Sequence, residues 1–200
     1  MHRGLAKTRL DALSRLWAYK RPGLERRLRK GATPAALRAA EKKFGLKLPQ
    51  GLRELYAWHD GAKDPYEAIE GYYGWLSLAR AAAQKKMLER VRIRMLDDGS
   101  WDAAWVPVLC CEGDLLCVDT RSGEVFEWLN VEGRVVNLAP SVDAWLRAHI
   151  AITKSAKAPL ADWDAVVDAF RGPKARRIRR EQSPGYPKNV RPRGGRASAR

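Results

Sequence analysis

Residues 105–138 read WVPVLCCEGDLLCVDTRSGEVFEWLNVEGRVVNL, and this stretch decides the fold. Four short runs rich in Val, Leu, Phe and Trp are separated by Glu112-Gly113, Arg121-Ser122-Gly123 and Glu132-Gly133. Branched and aromatic side chains favour the pleated strand, and glycine-bearing turns between such runs favour hairpins. The spacing predicts strands over about 105–111, 114–119, 124–129 and 134–138. Connections this short join neighbouring strands only in antiparallel fashion, so the stretch predicts a β-meander.

Outside the meander the apolar period changes to that of helices. Leu10, Leu13, Leu16 and Trp17 predict a helix over roughly 5–19, broken by Arg21-Pro22-Gly23. Thr33 and Pro34 suit an N-cap and first helical position, Leu37, Ala40 and Phe44 form a stripe, and Gly45 ends it. In LPQGLRELYAWHDGA (48–62), Leu52, Leu55, Tyr56 and His59 share one helical face, which puts His59 in the last turn and Gly61 just beyond. GYYGWLSL (71–78) reads as a strand, and Ala79–Met95 as a basic helix. After the meander, Ser141 caps a helix bearing Trp145, Leu146 and His149, and a second helix with Val166 and Phe170 follows Pro159. From Gly172 the apolar pattern stops in a run of Arg, Pro, Gly and Ser, which predicts a disordered tail. The expected class is α+β, an antiparallel β-meander with helices packed on one side. The expected divisions are a basic helical extension (1–32), a central domain (33–152), a helix (153–172) and a basic tail (173–200).

The 200 residues carry a net charge of +15, unevenly spread. Residues 1–30 hold ten Lys/Arg against two acids, and residues 173–200 hold ten against Glu181 alone. The 142 residues between them hold 18 basic and 20 acidic side chains and are nearly neutral. No apolar run approaches the roughly 20 residues of a membrane span, and the charged N-terminus has no apolar signal core. The expected address is the cytoplasm. Cys110, Cys111 and Cys117 all lie in apolar runs, which suits free thiols in a reducing compartment.

Three chemical constellations are candidates. His59 and Asp60, with Asp64, Glu67 and Glu70 soon after, could hold a metal or work as an acid–base pair. No second histidine is near: His2 is terminal and His149 lies on an apolar stripe, so a solvated acidic loop explains the segment. The cysteines sit on strands rather than at a helix N-terminus, where a thiolate would be favoured. No nucleophile elbow, phosphate-cradling glycine loop or zinc-protease helix occurs. The expectation is a protein without catalytic residues, metal or cofactor.

Several of these residues together resemble the signature of the SUKH superfamily, the group of the fungal cell-wall-assembly regulator and many bacterial immunity proteins. They are Leu48, Pro49, Leu52, Leu55 and Gly61, then Trp105 and Pro107, Gly113 and Asp114, and Asp119. The resemblance spans about 34–150 and implies a binding domain, with a cognate polymorphic toxin as partner and occlusion as mechanism. Aromatic and acidic residues near the loops are the expected contacts: Tyr72, Tyr73, Trp75, Asp97, Asp98, Trp101, Asp102 and Trp128. An alternative assigns the binding to nucleic acid through the basic ends, with Arg176, Arg177, Arg179 and Arg180 meeting phosphates.

Overall fold

The computed structural model describes residues 7–96, 99–157 and 159–190. Chain order gives helices α1 (Lys7–Lys20), α2 (Leu24–Arg27), α3 (Pro34–Phe44) and α4 (Gln50–Trp58), then strands β1 (Ala68–Glu70) and β2 (Tyr73–Trp75). Helix α5 (Leu78–Leu88) runs on into a π-helical segment, Glu89–Leu96. The meander follows as β3 (Trp105–Cys111), β4 (Asp114–Asp119), β5 (Val125–Leu129) and β6 (Gly133–Ala139). Helices α6 (Val142–Ser155), α7 (Trp163–Arg171) and α8 (Pro173–Gln182) and strand β7 (Lys188–Asn189) complete the described chain. All seven strands form one curled antiparallel sheet in sequence order. The α+β class is as expected.

The caps follow side-chain chemistry. Thr33, Ser77, Ser141 and Asp162 each accept a hydrogen bond from a backbone N–H three residues on, opening α3, α5, α6 and α7. Gly45 closes α3 in the left-handed region. Helix α4 differs in detail from the sequence reading. Pro49 is its N-cap and His59 its extended C-cap, so Gly61 does not end it. Gly61 sits at φ +73°, and a Cβ there would meet the Leu76 carbonyl and Ser77 nitrogen at 2.6 Å. The glycine is needed because two backbones pass one another, not because a helix stops.

The alternation of β4 shows how the sheet is buried. Leu116 and Val118 face the main core, built with α1, α3, α4 and α6. Leu115 and Cys117 face a second cluster of Trp101, Trp105, Phe126, Trp128 and Leu88. Both sheet faces are therefore covered, and the short strands read as nearly continuous apolar runs. The single strand expected over 71–78 is a hairpin instead, with β1 and β2 turning at Gly71 and Tyr72.

The basic C-terminal segment is structured through Val190. Ala175 and Ile178 of α8 are buried with Phe170, Val166, Leu160 and Ile152. Lys188 and Asn189 pair with Asn137 and Val136 of β6. Two apolar residues three apart make too brief a stripe to stand out in a sequence, yet they suffice here because the rest of α8's inner face is an arginine. The remainder of the expected tail, 191–200, lies outside the described residues. Among the described residues no helix is long and apolar enough to cross a membrane.

Candidate functional site

A cleft of about 690 Å³ lies over the β4–β7 half of the sheet. Its floor is made by cross-strand neighbours. Trp105 begins β3 and Asp119 ends β4, and they are register partners. The Trp105 indole N–H donates to Asp119 Oδ2 at 3.2 Å, and the Arg121 backbone N–H donates to Oδ1 at 2.9 Å. Arg134 Nη1 reaches the same Oδ2 at 3.3 Å, with its guanidinium 4.1 Å above the Phe126 ring. Burial on its own would raise the Asp119 pKa; the hydrogen bonds from Arg121 and Trp105 outweigh it, so the carboxyl is held below its usual range.

A second carboxylate, Glu124, shares Arg134 with Asp119. Glu124 accepts from Arg134 Nη2 at 2.7 Å, from Asn137 at 3.3 Å and from the Tyr186 hydroxyl at 2.6 Å. Burial opposes its ionisation, but the Tyr186 and Arg134 contacts win and lower its pKa. Tyr186 shifts the other way, to about 12, first through burial and then through its bond to Glu124. The rim is mixed in charge. Asp102 binds the Arg121 side chain at 2.6 Å and, with Glu132 and Lys188, lines the opening. Asp119 and Glu124 thus have their oxygens occupied, and the rim residues are the ones presented outward.

The expected contact residues divide. Trp101 and Asp102 line this cleft. Tyr73, Trp75 and Trp128 are buried and do not line it, which corrects their reading as surface contacts, while Trp101 lines it with 4% of its surface exposed. The reason is that both sheet faces are covered, so the alternation along β2 and β5 leaves no aromatic to solvent. Tyr73 donates to Glu127 at 2.7 Å, and Trp128 donates to the Ser100 carbonyl at 2.7 Å. Tyr72 is half-buried under the Arg171 guanidinium, 4.1 Å from its ring centroid. Asp97 and Asp98 lie outside the described residues.

The histidine–carboxylate constellation does not converge. His59 Nδ1 lies 2.8 Å from the Arg29 carbonyl, while Asp60 accepts from the Leu78 N–H at 2.8 Å. Glu67 pairs with Arg21 and Arg27. Glu70 is buried elsewhere, between His149 (3.2 Å) and Arg179 (2.8 Å). Burial raises the pKa of all three cysteine thiols, most strongly that of Cys117, the reverse of an activated nucleophile. Arg179, expected to meet phosphates, is 8% exposed and also donates to the Phe170 carbonyl at 3.0 Å. Arg176, Arg177 and Arg180 are exposed.

Sequence reasoning missed Arg134, Glu124 and Tyr186, whose grouping spans 62 positions, and the Glu70–Arg179 pair, 109 apart. No local signal marks such pairs.

The signature residues have structural duties. Leu48, Leu52 and Leu55 are core, and Leu48 N–H donates to the buried Glu41 carboxylate at 3.1 Å. Pro107 sits at a register slip in β3, beyond the end of β2. Gly113 turns between β3 and β4 at φ +99°, and Asp114 accepts from the Asn130 N–H at 2.9 Å. A family model, the SMI1 / KNR4 family (SUKH-1), matches residues 31–148, more than half of the chain. The chain belongs to this family. No curated protein matches it. The SUKH-1 match includes the Trp105–Asp119 pair but leaves out α1, α2, α7, α8 and β7. Lys188, Asn189 and Val190 therefore bring to the cleft a wall from outside the matched region.

Proposed function

We propose that this chain is an immunity-type protein that neutralises a cognate protein toxin by binding and occluding it, without turnover. Membership of the SUKH-1 family supports an immunity-type role in general terms. The observation that carries the reading is the open cleft whose floor is the Trp105–Asp119 pair and whose rim presents Asp102, Arg121, Glu132 and Lys188. Alternating rim charges select among partners and steer encounter more than they add affinity. The thiols pushed up by burial and the separately engaged His59 and Asp60 favour binding over catalysis.

The test is co-expression with the toxin domains encoded beside the gene. Growth rescue and a stable co-purifying complex are expected with one of them. Arg121→Glu, at an exposed rim position, is expected to weaken that complex by about tenfold, chiefly through slower association. Failure of the unmodified chain to bind any of these toxins refutes the proposal.

A further inference from the structure

We propose that the outer face of α8 is a binding site for the phosphodiester backbone of nucleic acid. Helix α8 reads PKARRIRREQ. At 3.6 residues per turn, its buried residues Ala175, Ile178 and Arg179 occupy one side, and the exposed Arg176, Arg177 and Arg180 fall together on the opposite side. These three arginines project from a fixed surface. The Glu70–Arg179 bridge and the Ala175 and Ile178 contacts pin the helix to the domain, so their spacing is set before a ligand arrives.

The chemistry of the face selects the ligand. Guanidinium groups offer planar, forked donors that match phosphate oxygens. Protein interfaces concentrate their energy in well-packed central side chains, Trp, Tyr and Arg foremost, whereas α8 turns both of its apolar residues inward and carries no aromatic. A binding surface of charge alone suits a polyanion whose affinity comes from releasing condensed counterions. Internal neutralisation is slight. Arg177 and Glu181 approach to 3.5 Å with both side chains mostly exposed, a pair of little strength. The sequence continues in the same sense, with Arg191, Arg193, Arg196 and Arg200 and no acid after Glu181. Lys174, at the start of the helix, is engaged with the Ser155 carbonyl at 2.6 Å and helps hold α8 against α6.

The experiment measures fluorescence anisotropy of the full chain with labelled single-stranded RNA and duplex DNA of about 20 nucleotides, from about 50 to 200 mM salt. Three phosphate contacts give a slope of log affinity against log salt of about −2 for the single strand and about −3 for the duplex. Replacing the three arginines together (R176E/R177E/R180E) is expected to lower affinity at about 50 mM salt at least tenfold and to remove most of that slope. The neutral triple variant R176Q/R177Q/R180Q is expected to do the same with an unchanged melting curve, which separates lost contacts from lost folding. Equal binding of both probes supports recognition of the shared backbone, and a preference names the acid that is taken. The proposal is overturned if neither probe binds at the lowest salt, if both triple variants bind as the unmodified chain does, or if deletion of 191–200 alone abolishes binding.

Discussion

Replacing Arg179 with alanine tests whether α8 belongs to the folded domain. Glu70 is 4% exposed, and its carboxylate has two side-chain partners, His149 at 3.2 Å and the Arg179 guanidinium at 2.8 Å. Burial opposes the charged form; the hydrogen bonds and charges of His149 and Arg179 outweigh it and hold the Glu70 pKa at about 2, against an ordinary 4.5. A depression of that size corresponds to about 3 kcal/mol of stability at neutral pH. Breaking a buried ion pair by removing one partner costs about 3–5 kcal/mol, because it strands the other charge. The two routes agree on about 3 kcal/mol for Arg179→Ala, less whatever His149 still supplies. For a chain of this length that lowers the melting temperature by roughly 6–12 °C.

Urea unfolding at neutral pH gives the free energy, and Arg176→Ala, an exposed neighbour on the same helix, is the control, with an expected effect within about 0.5 kcal/mol. The double variant Arg179→Ala/Glu70→Gln removes the stranded charge and should recover at least about 1 kcal/mol relative to the additive sum. The pH dependence has a fixed sign. A depressed carboxylate stabilises the fold above its unfolded pKa, and that contribution is lost as pH falls from about 4.5 towards 2. Glu70→Gln should flatten the curve in that window. Equal melting curves for Arg179→Ala and Arg176→Ala would refute the assignment of Arg179 as a buried anchor.

Gly61→Ala combines a positive φ with a Cβ contact of 2.6 Å to backbone atoms, and a loss of at least about 2 kcal/mol is expected in thermal melts. With a thiol reagent at mildly alkaline pH, Cys117 is expected to react only on unfolding and Cys111 first, following their burial. His59→Ala removes one hydrogen bond to the Arg29 carbonyl and a half-buried edge contact with the Trp58 ring, so a stability change of about 1 kcal/mol is expected, with no change in bound metal content by elemental analysis.

The meander was legible because turn glycines and branched residues act locally. Observed strands Trp105–Cys111 and Asp114–Asp119 coincide with the expected ones, and those that follow differ by a residue at their ends. Local chemistry also placed Thr33, Gly45 and Ser141 as caps. The reading weakened wherever the answer depended on distant partners. Tyr73 and Trp75 looked like surface aromatics because no local pattern shows that both faces of β2 are covered. Lys85, on a helix expected to be basic, is buried and bonded to Glu89 and the Ala103 carbonyl. In the candidate site Trp105 and Asp119 could be named only through the SUKH resemblance, and Lys188 lines the same cleft because β7 adds to β6.

The charge network changes what the family boundary means. Residues 31–148 match SUKH-1, yet two buried acids inside that span, Glu70 and Glu127, are answered from outside it by Arg179 and Arg171. Arg171 binds Glu127 at 2.7 Å beside the Tyr73 hydroxyl; burial would lower its pKa, but the bond to Glu127 raises it instead. A carboxylate stranded in the interior is costly, so a chain ending at the matched boundary would keep two acids and lose both of their arginines. The apolar side runs the same way: Leu13, Trp17 and Leu24, before the match, are packed in the main core. The flanking segments therefore share the core and the buried charge network of the matched region. The basic helix and the wall of the cleft are consequences of how this chain completes its core, not appendages to it.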